Sequence, residues 1–182
     1  MPKKIIFIGG VHGAGKSTVA AEVSRELGIK HVKASEVIKW QDLSKDPHNK
    51  HVEDIDATQT ILLDALKIYR TDEDCLLLDG HFCLIRTDGQ IQRIPFQVFQ
   101  SIDPIIVAVV TADEEDIFKR LILRGHIDLN LAFVKDFQEM EISYGREVAQ
   151  LLGVDFIKIC DGTLSEFISI VKRIQKPNES FT

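Results

Sequence analysis

Short apolar runs recur along the chain at Lys4 to Gly9, Ile29 to Lys33, Cys75 to Leu78, Ile105 to Val110 and Val154 to Ile159. The first and third are unbroken by polar alternation, as strands covered on both faces are. Between the runs the apolar period lengthens to that of a helix. Lys16 to Leu27 carries Val19, Val23 and Leu27 on one stripe, with Gly28 as its stop. Ser35 has the chemistry of an N-cap for a helix to about Asp42, and Ile55 to Tyr69 resumes helical spacing after a polar stretch broken by Pro47. Asp113 caps an acidic-to-basic helix through Arg124. A long helix is predicted near Leu129 to Leu152, with Phe133, Phe137, Met140, Tyr144, Val148 and Leu151 as its buried face, and a last one over Leu164 to Ile174.

Two further runs, Phe82 to Ile85 and Ile91 to Ile94, flank Thr87-Asp88-Gly89 and predict a hairpin, with Pro95 in the first turn of the next helix. Strands alternating with helices predict a three-layer α/β/α fold around a five-stranded parallel sheet. No repeat or composition shift divides the chain, so residues 1–182 are expected to form a single domain.

Composition narrows the function classes. Hydrophobic residues make up 45% and charged residues 27%, as in ordinary globular domains rather than disordered chains. The formal charge of −6 argues against nucleic acid as a bulk partner. Cys75, Cys83 and Cys160 have no metal-ligand spacing and suit reduced thiols. No apolar run reaches the ~18 residues of a membrane span, and the four residues Ile5 to Ile8 are too few for a secretory core. A cytoplasmic protein is expected.

The strongest chemical signal is Gly10-Val11-His12-Gly13-Ala14-Gly15-Lys16-Ser17, which satisfies G-x-x-x-x-G-K-[ST]. Glycines let successive amides turn inward onto phosphate oxygens at the positive end of a helix. Lys16 supplies a point charge for the β- and γ-phosphates, and Ser17 a hydroxyl for Mg²⁺. Gly10, His12, Gly13, Ala14, Gly15, Lys16, Ser17 and Thr18 are therefore the candidate nucleotide cradle. Chance yields this pattern in roughly 1% of chains of this length; its placement after a strand and before a helix makes coincidence a poor account. ATP with Mg²⁺ is the expected ligand.

Asp79 ends an apolar strand, where a carboxylate meets the magnesium shell beside such a loop; it could also serve as a local Asp-Gly turn residue. His81 either touches a substrate phosphate or orders the hairpin. Arg120 and Arg124, four apart, share one helix face, placed either for a transferring phosphoryl group or for the helix dipole. His48, His51 and Trp40 are read as solvated loop and packing residues.

With these residues in view, the chain resembles the nucleoside monophosphate kinases, most nearly the archaeal-type adenylate kinases and their bacterial relatives. The resemblance rests on the phosphate loop, Leu78-Asp79-Gly80-His81, Arg120-x-x-x-Arg124 and Asp161-Gly162-Thr163, and covers nearly the whole chain. It implies strand order 2-3-1-4-5, an acceptor-binding segment at about 35–70 and a short lid at about 124–130. It implies catalytic roles for Lys16, Asp79, Arg120 and Arg124, and an adenine site near Gly162 and Thr163. Ser35-Glu36-Val37-Ile38-Lys39 looks like the family's Gly-Asp-Leu-Leu-Arg, so Ser35, Glu36 and Lys39 would meet the acceptor, although Lys39 suits a solvated helix lysine equally. Gln59 resembles a glutamine near the acceptor base. Arg86-Thr87 resembles a basic-Thr pair between the nucleotide sites, or is an exposed hairpin charge.

Departures matter too. A second lid arginine is missing, since Gly125-His126-Ile127 precedes Asp128. Lysine at position 39 keeps the charge of an arginine but not its two-pronged hydrogen bonding. Both argue against fast adenylate kinase turnover. The expected activity is therefore ATP-dependent phosphoryl transfer to a small phosphate acceptor, a nucleoside monophosphate first. A slow ATPase or switch acting on a protein partner, and a hydroxyl kinase using Glu36 or Asp79 as base, are the alternatives.

Overall fold

The computed structural model describes residues 4–36, 74–86, 88–125 and 130–175. Its central sheet contains β1 (Lys4–Gly9), β2 (Lys30–Lys33), β3 (Cys75–Asp79), β6 (Ile106–Val110) and β7 (Asp155–Ile159). They lie in the order β2-β3-β1-β6-β7, and every pairing is parallel. Two short strands, β4 (Cys83–Ile85) and β5 (Ile91–Arg93), form a separate antiparallel hairpin. Counted without the hairpin, the sheet follows the expected order 2-3-1-4-5. Around it run α1 (Lys16–Leu27), α2 (Phe96–Ile102), α3 (Glu114–Leu123), α4 (Leu131–Leu152) and α5 (Leu164–Gln175).

The middle strands explain their own position. β1, β3 and β6 are aliphatic on both faces and almost wholly buried, because helices cover the sheet on both sides. Edge strands β2 and β7 mix polar with apolar residues and keep exposed positions. Register then carries chemistry: Ile8 pairs with Asp79 and Gly9 with Val109, so β3 delivers its terminal carboxylate beside the end of β1. Ligands of open parallel sheets bind at this carboxyl edge.

Phe82 plugs the corner where β3 leaves the sheet. Its ring is fully buried against Phe7 and Phe99. Gly9 and Gly145 leave it room, since a Cβ at Gly9 would stand 2.2 Å from the ring and one at Gly145 3.1 Å. Phe82→Ala would cost about 3–5 kcal/mol in lost burial and cavity.

Several expectations shift. Helical backbone begins at Ala34, so Ser35 lies within a first turn instead of capping it. Pro95 is the N-cap of α2, its extended ψ of 136° placing it just outside the helix. The long helix opens at Leu131 because the Asn130 side chain accepts from Phe133 N at 2.8 Å. Its inner face keeps Phe137, Tyr144 and Val148 of the predicted stripe but departs from it elsewhere: Leu151 is 58% exposed, while Gln138 and Glu141 are buried. Gln138 bonds both the N–H and the carbonyl of Ala112, and Glu141 binds backbone amides near the end of β1 and after β3. Polar positions face inward there because strand ends leave backbone groups to satisfy, a demand that hydrophobic spacing does not register. Asp113 caps α3 as expected, accepting from Glu115 N and Asp116 N.

Most of the expected acceptor segment, with Lys39, Trp40, His48, His51 and Gln59, lies outside the described residues, as do Thr87 and 126–129 of the lid.

Candidate active site

The loop between β1 and α1 is held by backbone geometry only glycine tolerates. Gly10, Gly13 and Gly15 have φ of 136°, 87° and 101°, and a Cβ at Gly10 would strike the Val110 carbonyl oxygen at 2.4 Å. Gly15 is the N-cap of α1, and Thr18 N and Val19 N donate back to its carbonyl at 3.0 and 3.1 Å. The N-terminal turn of α1 thus opens into a cavity of about 760 Å³ lined by His12 to Val19 on one side. Gly10 differs from the rest of the loop. Its N–H is turned inward and donates to Glu141 Oε2 at 2.8 Å.

Lys16 is buried, its Nζ donating to the carbonyls of Gly10 at 2.6 Å and Val11 at 3.1 Å. Burial pushes its ammonium below the ordinary lysine value, reinforced by Arg124 and opposed by Asp79 and Glu141. This is a charge folded over its own loop, within reach of an anion in the cradle.

Ser17 Oγ donates to Asp79 Oδ2 across 3.4 Å. Burial works to raise the Asp79 carboxyl, but the His31 contact and the charges of Lys16, His31 and His81 outweigh it and hold the group below the usual carboxylate range. His31 Nε2 stands 3.4 Å from the same Oδ2, within ion-pair reach but without the alignment of a hydrogen bond. A hydroxyl beside an ionised carboxylate is a hard, two-ligand oxygen site of the kind magnesium takes when phosphate and water complete its shell. The residues fit the ion. Among the described residues no cluster of three or more His, Cys, Asp or Glu side chains offers an alternative metal site.

Arg120 and Arg124 both line the cavity. Arg120 Nη1 donates to the Gly13 carbonyl at 2.9 Å, tying α3 to the phosphate loop. Arg124 is the C-cap of α3, two residues before the start of 126–129, which lie outside the described residues. On the far side the turn after β7 brings Cys160, Asp161 and Gly162 to the cavity, Gly162 with φ of 87°. Thr163 stands behind it: its hydroxyl accepts from Cys160 N at 2.9 Å and donates to the Cys160 carbonyl at 3.0 Å, bracing the turn.

Only part of the side expected to take an acceptor lies within the described residues. Ser35 and His81 line the cavity, with Lys33 and the apolar side chains of Phe7, Leu84 and Phe99. Glu36 is exposed and pairs with Lys33 at 2.9 Å. Arg86 sits on the hairpin turn, half exposed, with its Nε 3.5 Å from Asp88 Oδ2. The His81 ring lies against His12, with centroids 4.3 Å apart, so the variable position of the phosphate loop meets the residue two beyond Asp79.

Two participants escaped the sequence reading. His31 sits in a short edge strand that carries no motif, and Glu141 sits in the middle of an amphipathic helix. For Glu141 a signal was present: it interrupts the apolar face one turn before Gly145.

Residues 9–131 match the family described as AAA domain. The chain is 27% identical to an adenylate kinase of Prochlorococcus marinus subsp. pastoris, over 95% of this chain and 97% of that one. It is 25% identical to an adenylate kinase of Methanothermobacter thermautotrophicus, over 94% and 98%. Among solved structures, a shikimate kinase from Acinetobacter baumannii in complex with shikimate shares the fold, with a TM-score of 0.59 at 14% identity over 100% of this chain and 97% of that one.

Proposed function

The chain belongs to the AAA domain family, and from that premise we propose that it is an ATP-dependent phosphotransferase of nucleoside monophosphate kinase type. One observation carries the reading: Lys16, the Ser17–Asp79 pair, Arg120 and Arg124 face a single cavity large enough for two small ligands. The two adenylate kinases align over nearly the full length of both chains, which supports the same class.

In this reading the amides at the start of α1 take the triphosphate, and Ser17 and Asp79 hold magnesium. Magnesium, when bound, neutralises charge on the phosphate oxygens. Lys16 exchanges its bonds to the Gly10 and Val11 carbonyls for phosphate oxygens, moving its charge by a small rotation of its stem. Arg124 bears charge spreading over the phosphoryl group in transfer, and Arg120 keeps α3 seated on the loop. A phosphate acceptor is already anionic, so no strong base is required of the protein.

A hydroxyl acceptor is the second reading, to which the shikimate kinase of the same fold points. Asp79 lines the cavity and stays ionised, but its depressed carboxyl is a weak base, so such a transfer would rest on positioning more than on proton removal. The deciding experiment measures ADP release with magnesium and ATP across nucleoside monophosphates and small hydroxy acids. Stimulation by one or more monophosphates is the expected result. Stimulation by alcohols alone selects the hydroxyl reading. A low rate indifferent to every small acceptor and raised by a macromolecule would overturn both in favour of a partner-linked ATPase.

A further inference from the structure

The phosphate loop, the corner after β3 and the long helix α4 converge on Glu141. This side chain is fully buried. Its Oε2 accepts from Gly10 N at 2.8 Å and Phe82 N at 3.2 Å. Its Oε1 accepts from Phe82 N at 3.0 Å and Cys83 N at 2.9 Å. His81 Nδ1 lies 3.7 Å from Oε1. Three amides from two segments, separated by some 70 residues of chain, thus end on one carboxylate.

We propose that Glu141 is a positioning residue for the nucleotide site, its carboxylate holding the first amide of the phosphate loop and the corner that carries His81 in one fixed relation. The claim rests on the phosphotransferase reading only for what occupies the cavity.

The donor set explains why a carboxylate stands here. Three amide N–H groups need acceptors and no donors, and an ionised carboxylate offers two oxygens with lone pairs to spare. An amide side chain would turn an NH₂ toward at least one N–H, and an aliphatic one would leave all three buried and unsatisfied. The approach of α4 is equally specific. Gly145 lies one turn beyond Glu141 on the same helix face, and a Cβ there would stand 2.8 Å from Val109 Cγ2 and 3.1 Å from the Phe82 ring. Without that Cβ the helix comes close enough for Glu141 to reach the end of β1. The start of the loop is then fixed from two sides, by the carboxylate on the Gly10 amide and by the Val110 carbonyl against its Cα.

A consequence is mechanical. Because one side chain holds both segments, a ligand that orders the phosphate loop also orders the Phe82–Cys83 corner on the acceptor side. In addition, the Glu141 charge favours the ammonium form of Lys16 against burial.

The test compares the full-length protein with Glu141→Gln by calorimetry with magnesium and ATP, by circular dichroism and by amide NMR. A folded Glu141→Gln should bind ATP about 10- to 100-fold more weakly. Its Gly10, Phe82 and Cys83 amide resonances should move upfield together, which a remote loss of stability would not produce. A folded variant with wild-type affinity overturns the inference and leaves the function reading intact. Absence of heat in the wild type overturns both. Should Glu141→Gln fail to fold, hydrogen exchange on the wild type decides: slowing at Phe82 and Cys83 on adding magnesium and ATP supports the coupling, and unchanged rates there overturn it.

Discussion

Ser17 Oγ lies 3.4 Å from Asp79 Oδ2, though 62 residues separate them. The approach follows from sheet register: Ile8 is opposite Asp79, and the Gly80 amide donates to the Ile8 carbonyl at 2.9 Å. β3 therefore ends level with the loop from which Ser17 rises. If the pair holds magnesium, Asp79→Asn should lower turnover by about 10²–10³-fold and shift its magnesium dependence to higher concentration. Initial rates across a magnesium series check this, and an unshifted dependence would remove Asp79 from the ion.

Lys16 invites a prediction in which activity and stability part company. Burial lowers its affinity for a proton in the folded chain, so below the folded value the charged ammonium works against folding. That penalty is relieved as pH rises through the lowered folded value toward the unfolded one. Lys16→Met should cut phosphoryl transfer by at least about 100-fold. Its ligand-free melting temperature at pH 7 should equal or exceed that of wild type, as thermal unfolding followed by circular dichroism will register.

Asp79 has the opposite sign. Its folded-state value is depressed, so it contributes stability above the unfolded carboxylate value of about 3.9 and loses it as pH falls through the folded value. Asp79→Asn should flatten the acid limb of stability below about pH 4, measured by urea unfolding at successive pH values.

Three thiols should divide by environment. Burial, then the Glu141 charge, pushes the Cys83 thiol up to about 12, and burial also raises Cys75. Both should resist alkylation in the native protein. Cys160 is half buried and lines the cavity. Native protein should accept one label, at Cys160, and magnesium with ATP should slow it if the nucleotide lies along the turn after β7. Mass spectrometry of labelled peptides reports both.

The two arginines of α3 should separate kinetically. Arg120 is bonded to the Gly13 carbonyl, so Arg120→Ala should weaken ATP affinity through the loop. Arg124→Ala should lower kcat by about tenfold or more and change ATP affinity less. Equal losses in both parameters for Arg124 would assign it to binding alone.

Legibility in the sequence followed the range of the interactions concerned. Local rules sufficed where the deciding atoms are close in the chain: the bounds of β1 and α1, the Gly28 stop, the Asp113 cap and the hairpin around Asp88-Gly89. The phosphate loop belongs to the same group, because one short segment supplies its glycines, lysine and serine. The cap expected at Ser35 lies two residues too late because a strand that ends at Lys33 sets where the next helix begins. Leu151 was misassigned because apolar spacing reports what a helix could bury, while neighbouring strands decide which face they meet.

By itself, then, the sequence determined the class of fold and the phosphate cradle, since both arise from steric and hydrogen-bonding preferences within a dozen residues. Only tertiary structure decided that His31 faces Asp79 and that Glu141 joins Gly10 to Phe82 and Cys83. Those contacts depend on strand order, register and the close seat of α4 at Gly145, and a buried polar group acquires its partners only when the chain closes around it.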